Sequence, residues 1–180
     1  MVPRKTRCPP GYTIRRMIDA GTPAPDFELA DQDGETVKLS GLRGKTVVLY
    51  FYPKADTPGC TVQACGVRDR RAEYDAADAV VLGVSPDKVA ALRKFADKYG
   101  LPFTLLSDED HAAATEYGAW TMKQNYGREY MGIQRSSFLV DPDGVVAYAW
   151  PKVKAEGHAA EVLARLTAAK ADRAAHSAAG

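Results

Sequence analysis

The sequence predicts an α/β fold in which one mixed sheet carries helices on both faces. Two β-branched, strongly apolar runs, residues 46–52 and 80–84, read as strands buried on both sides. Segments of helical periodicity follow them, and a later strand–turn–strand pattern and a closing helix complete the sheet and its cover.

Taken in order, residues 27–29 and 37–39 flank Asp31-Gln32-Asp33-Gly34 and predict a short hairpin ahead of the main sheet. Residues 46–52, TVVLYFY, are too apolar for an edge and predict a central strand that Pro53 ends. A helix is expected over residues 58–75 and the second buried strand over 80–84. Val89, Leu92 and Phe95 share one stripe of a helix over residues 87–99, which Gly100 and Pro102 stop. Residues 103–106 predict a short strand and 111–117 a short helix. A second hairpin, residues 137–140 and 145–149, turns at Asp141-Pro142-Asp143-Gly144. Residues 158–169 form the closing helix, with Val162, Leu163 and Leu166 as its apolar face and an Ala-rich tail behind it. A parallel pair joined by a crossover, then an antiparallel hairpin, is the thioredoxin order.

With 180 residues, 46% of them hydrophobic, the chain suits one domain with a single sizeable core. The expected division is a loose extension over residues 1–17, the folded domain over 18–169 and the tail over 170–180. A net charge of +1 gives no field that would draw it to nucleic acid or an anionic membrane. No apolar run approaches the roughly 20 residues of a membrane helix. The basic N-terminal stretch lacks an apolar secretory core, and Pro3, Pro9 and Pro10 would break a transit-peptide helix. Cysteine occurs at 8, 60 and 65, too sparsely for a disulfide framework. The expectation is a cytoplasmic protein whose thiols serve reactivity or packing.

Residues 52–60 carry the chemistry. A buried strand ends at Pro53, a short turn follows, Thr57 takes the N-cap and Pro58 the first helical position. Cys60 then lies in the first turn, where unpaired N–H groups and the helix dipole favour the thiolate, which is the nucleophile.

PxxxTxxC, here Pro53, Thr57 and Cys60, is the signature of the peroxiredoxins, which this chain strongly resembles. The run YFYPKADTPGCT at residues 50–61, with a second cysteine five positions beyond Cys60, is similar to the peroxiredoxin Q (bacterioferritin comigratory protein) group. The APDF entry at residues 24–27 and RSSFLVD at 135–141 match as well. The resemblance implies a thioredoxin-like fold with an N-terminal β-hairpin extension, and a thiol peroxidase acting on hydrogen peroxide or alkyl hydroperoxides. It makes Cys60 the peroxidatic thiol and Cys65 the resolving thiol, joined in an intrachain disulfide that a thioredoxin-like dithiol reduces. Thr57 would hold peroxide and thiolate through its hydroxyl, although capping the helix is an equal reading and the two are compatible. Pro53 would shield the sulfenate, and Arg135 would stand beside Cys60 to stabilise the thiolate and the departing oxygen. Gln63 and Val67 replace an acid and an aromatic that relatives often carry around Cys65. No metal, haem or flavin is required, and a monomer or weak dimer is expected.

Other patterns carry less. Two cysteines and a histidine do not reach the four ligands of structural zinc. Gly44-Lys45-Thr46 lacks the earlier glycine of a P-loop and enters a strand. Both Asp-x-Asp-Gly stretches lack the closing ligands of a calcium loop and read as turns. Cys8 reads as a bystander. A disulfide oxidoreductase is disfavoured by the absence of Cys-x-x-Cys, and a redox-responsive binding protein or holdase is the alternative from outside the enzymes. If Cys60 and Cys65 share one helix, their Cα atoms stand about 8.6 Å apart. A disulfide tolerates at most about 6.8 Å, so the helix is expected to unwind before the bond closes.

Overall fold

Side-chain alternation along one strand divides the interior into two cores. The computed structural model describes residues 14–179. In chain order the elements are β1 (Glu28–Asp31), β2 (Thr36–Lys38), a 3-10 turn (Leu39–Leu42), β3 (Thr46–Phe51), α1 (Pro58–Asp69) and α2 (Arg71–Ala76). Then come β4 (Ala79–Ser85), α3 (Val89–Tyr99), β5 (Thr104–Ser107), α4 (Ala112–Tyr117), β6 (Trp120–Asn125) and β7 (Arg128–Ile133). β8 (Ser136–Val140), β9 (Val146–Trp150) and α5 (His158–Ala178) complete the chain.

Seven strands form one sheet in the order β2-β1-β5-β4-β3-β8-β9, and β6 and β7 form a separate ribbon. β3, β4 and β5 run parallel, whereas β8 is antiparallel to β3 in the register Phe51↔Ser136. Val48, Tyr50 and Tyr52 point to one face, where they pack with α1, α3 and α5 through Ala64, Val67, Phe95, Val162 and Leu166. Val47, Leu49 and Phe51 point to the other and meet Ala113, Ala114 and Tyr117 of α4. β3 is buried along its whole length, as its composition demands. The thioredoxin-like architecture with its leading hairpin is therefore present.

Both hairpin turns form as expected, each closed by its first aspartate. Asp31 Oδ1 accepts the N–H groups of Asp33 and Glu35, and Asp141 Oδ1 those of Asp143 and Val145.

The structure departs from the sequence reading in four places. The helix expected over residues 58–75 is interrupted at Arg70 (φ −109°, ψ 18°), so α1 and α2 are separate. Neither Pro nor Gly marks this break, and the N–H of Arg70 folds back onto Val67 O at 3.1 Å. Second, periodicity assigns no element to residues 118–134, where β6 and β7 stand. Third, the Ala-rich tail is no separate segment, because α5 continues through it to Ala178, in keeping with alanine's high helix propensity. Fourth, the end of the expected extension is docked: Arg15 pairs with Glu116 at 2.8 Å and Met17 packs against the second core, just before Ile18 of the domain donates its N–H to Tyr117 O at 3.3 Å. The rest of that extension, with Cys8, lies outside the described residues.

Candidate active site

Cys60 and Arg135 meet because β3 and β8 are neighbours in the sheet. The Phe51↔Ser136 pair ends their ladder, so the chain beyond Phe51 and the residue before Ser136 emerge side by side. From there residues 53–57 turn into α1. Cys60 is only 2% exposed, yet Arg135 Nη2 donates to its Sγ at 3.3 Å. The other arm of the guanidinium, Nη1, donates to Gln63 Oε1 at 2.6 Å. Gly59 leaves room for this, since a Cβ there would stand 3.1 Å from Arg135 Nη2.

The loop before α1 is fastened from three sides. The Ala55 N–H donates to Asp87 Oδ2 at 2.7 Å, and Ser85 Oγ donates to the same oxygen at 2.8 Å. Asp56, in the left-handed region at φ 57°, accepts from Lys98 Nζ at 2.9 Å and Tyr99 OH at 2.7 Å. Hydrogen bonds from Lys98 and Tyr99 hold the Asp56 carboxyl below its ordinary range. Thr57 takes the expected cap position, but its hydroxyl does not cap the helix. It donates to Lys54 O at 2.8 Å, while its carbonyl accepts the Thr61 N–H at 2.9 Å. The side-chain capping reading is thus corrected: the helical N–H groups are left to whatever occupies the site. Pro53 is half-buried at the mouth of this loop.

Cys65 is on the same unbroken α1, half-buried, and both thiols are free. The structure therefore unites Cys60, Arg135 and the loop bearing Pro53 and Thr57, and carries Cys65 away along the helix.

Four contributors lie outside the PxxxTxxC signature at residues 53–60. Gln63 falls on the buried stripe Cys60, Gln63, Ala64, Val67 of α1, and a polar residue on such a stripe is itself a signal that a partner awaits. Lys123, on β6, donates Nζ to Ile133 O at 2.7 Å. Burial and then the Arg135 charge push its ammonium below the ordinary lysine range, against a pull from Cys60. His158 joins α5 to β8 through Ser137 Oγ at 2.8 Å. Its ring is held below the ordinary histidine range chiefly by burial, with Arg135 adding to the effect. Tyr50 packs in the same core cluster as Cys60, and its buried hydroxyl has no hydrogen-bond partner among the described residues. Burial pushes its phenol well above the usual range.

This arrangement supplies a buried sulfur, a fixed cation and the first turn of α1 without a side-chain cap, which suit a thiolate that must meet a small, polarisable oxidant. Among the described residues no cluster of His, Cys, Asp and Glu could hold a metal, and no helix is long and apolar enough to cross a membrane.

Comparison with known proteins places the chain. The AhpC/TSA family profile matches residues 20–149. A putative peroxiredoxin bcp of Coxiella burnetii is 51% identical over 149 residues, covering 83% of this chain and 99% of the relative. Peroxiredoxin Bcp of Bacillus subtilis is 50% identical over 149 residues, covering 83% and 95%. Among solved structures, the Xanthomonas campestris bacterioferritin comigratory protein, studied for alkyl peroxide reduction, superposes with a TM-score of 0.79 at 40% identity. That match covers 83% of this chain and 98% of the other. The chain belongs to the AhpC/TSA family and is a peroxiredoxin, a thiol peroxidase.

Proposed function

We propose that Cys60 reduces hydrogen peroxide and organic hydroperoxides, and that Cys65 resolves the product. The contact that supports this most is the 3.3 Å hydrogen bond from Arg135 to Cys60 Sγ. The Cys60 thiolate attacks the terminal oxygen; the O–O bond breaks, Cys60 becomes a sulfenic acid, and the departing hydroxide or alkoxide takes a proton to leave as water or alcohol. Arg135, fixed before the reaction, stabilises the thiolate and then the charge moving onto the departing oxygen. Thr57 has acceptor capacity left on its hydroxyl after donating to Lys54 O, which suits it to receive a peroxide O–H. Pro53 limits access of water and further peroxide to the sulfenate.

Cys65 then condenses with the sulfenic acid, releasing water and forming the Cys60–Cys65 disulfide. A thioredoxin-type dithiol reduces that bond and becomes a disulfide itself. The similarity to the Xanthomonas campestris protein, which reduces alkyl peroxides, supports the substrate class. A cytoplasmic location and a monomer or weak dimer complete the reading.

The test is peroxide consumption with and without a thioredoxin system. Cys60→Ser is expected to consume none. Cys65→Ser is expected to consume about one equivalent, leave a trappable sulfenate, and lose thioredoxin-linked turnover. Full turnover in Cys65→Ser removes that thiol from the cycle.

A further inference from the structure

The oxygen that leaves a peroxide needs a proton, and the groups nearest the sulfur supply none. Arg135 holds its protons at any working pH. The Thr57 hydroxyl gives its O–H to Lys54 O. Burial keeps the Tyr50 phenol well above the usual range. His158, held below the ordinary histidine range chiefly by burial, is a neutral ring with Nε2 on Ser137 Oγ. Lys123 remains. On β6 it pairs with Tyr130, yet its Nζ lands on Ile133 O at 2.7 Å, three residues further along β7. The side chain therefore leans along the ribbon instead of standing out into water. Its path is open because residue 132 is glycine: a Cβ there would stand 3.0 Å from Lys123 Cδ. Ile133 is two residues ahead of Arg135, a span of at most about 7 Å, so the ammonium sits at the root of the segment that carries the guanidinium. One of its three N–H donors is used on that carbonyl, and among the described residues no carboxylate pairs with it. Burial and then the Arg135 charge push the ammonium below the ordinary lysine range, which makes it a better acid, while Cys60 pulls the other way. Two cations brought toward one sulfur with no acid between them repel each other, an arrangement that stability alone does not reward.

We propose that Lys123 is a catalytic residue, the general acid that protonates the oxygen departing as Cys60 attacks. The inference rests on Cys60 being the attacking thiol. An electron pair of the thiolate forms the S–O bond, the O–O pair passes to the departing oxygen, and that oxygen takes a proton from Nζ. The products are the Cys60 sulfenic acid, water or an alcohol, and a neutral amine. Lys123 is half-buried, so water returns the proton to the amine. Arg135 steadies the charge that Lys123 then removes.

The experiment varies the leaving group. Hydrogen peroxide and tert-butyl hydroperoxide expel hydroxide and an alkoxide, strong bases that need a proton. Peracetic acid expels acetate, a carboxylate that is stable without one. Second-order rates with the three oxidants are compared for Lys123→Met, Lys123→Arg and the wild-type residue in a Cys8→Ser, Cys65→Ser background, so that one thiol reports. Both variants are expected to lose about a hundredfold with the two hydroperoxides and to keep most of their rate with peracetic acid. Arginine retains the positive charge but releases no proton, so wild-type rates with the hydroperoxides in Lys123→Arg overturn the proposal. An equal loss with all three oxidants overturns it too, because a charge or a packing contact would not distinguish the leaving groups. Far-UV spectra and thermal midpoints check folding, with Lys123→Gln, which keeps a donor for Ile133 O, replacing Lys123→Met if needed. Consumption of any of these oxidants by Cys60→Ser would instead sink the reading of Cys60 as the attacking thiol, whereas equal losses across the oxidants sink the role of Lys123 and leave Cys60 in place.

Discussion

Five positions along α1 separate two thiols in opposite circumstances. Cys60 lies against the sheet, 2% exposed, with a guanidinium on its sulfur. Cys65 is rotated about 140° away, half-buried, with Arg68 one turn further along its helix as a charged neighbour. Position on the helix, not the chemistry of cysteine, makes them different. The same geometry keeps them apart: the arrangement that prepares Cys60 to attack cannot bring Cys65 to it. If Cys65 resolves Cys60, attack and resolution belong to two conformations of α1.

That contrast can be broken or sharpened by experiment. The largest effect is expected for Arg135→Lys, which keeps a cation but loses the fork that reaches Gln63 and Cys60 together. The peroxide step should slow by about 2–4 kcal/mol, as on removing one preorganised donor. An unchanged rate constant would show that charge alone distinguishes the two thiols.

Oxidation to the disulfide should unwind the first turns of α1, lower the far-UV helical signal and speed amide exchange over residues 57–68. The break at Arg70 gives the unwinding a natural limit. Identical spectra and exchange in the two redox states would mean that the thiols meet without unwinding.

A smaller loss is expected for Gly59→Ala, whose Cβ would press on Arg135 Nη2 from 3.1 Å. Moving one flexible side chain by a few tenths of an ångström should cost about 1 kcal/mol of peroxide reactivity and leave the alkylation of Cys65 untouched. Equal effects on both thiols would point to damage to α1 as a whole.

The smallest effect concerns His158. Its folded pKa lies below the ordinary histidine value of about 6.5 because burial disfavours the charged ring. Below that unfolded value the unfolded chain binds the extra proton first, so stability is full above about pH 6.5 and declines as pH falls. His158→Gln should flatten the decline in thermal midpoint on the acid side. A wild-type slope in that variant would place the titration elsewhere.

Much of this was legible in the residues. The runs at β3 and β4 admit hardly any reading but buried strands, and the PxxxTxxC spacing points to the proposed nucleophile, which the structure sets beside Arg135. The β6–β7 ribbon was not legible because its signals contradict local rules. Its two-residue turn uses Tyr126 (φ 49°) and Gly127 (φ 76°), where positive φ would ordinarily be met by Asn or Gly. Lys123 was hidden with it. His158 reaches Ser137 only through the pairing of distant segments. Gln63 was visible as a departure from relatives, but its partner depended on register, since the Phe51↔Ser136 pair is what brings Arg135 alongside α1.

The fastening of residues 53–57 also bears on how fast the enzyme resets. Asp87, Lys98 and Tyr99 hold this loop, and none of them belongs to α1. A helix starting in free solution must first order three residues for a single hydrogen bond, a nucleation factor of about 10⁻³. Here Thr57 is already held extended and Pro58 has its φ fixed by its ring. If the cycle runs through a Cys60–Cys65 disulfide, α1 would regrow from this template once a reductant cleaves that bond, by propagation on the order of nanoseconds per residue. Recovery of the reactive geometry would then be timed by thiol exchange, with helix formation far too fast to limit it.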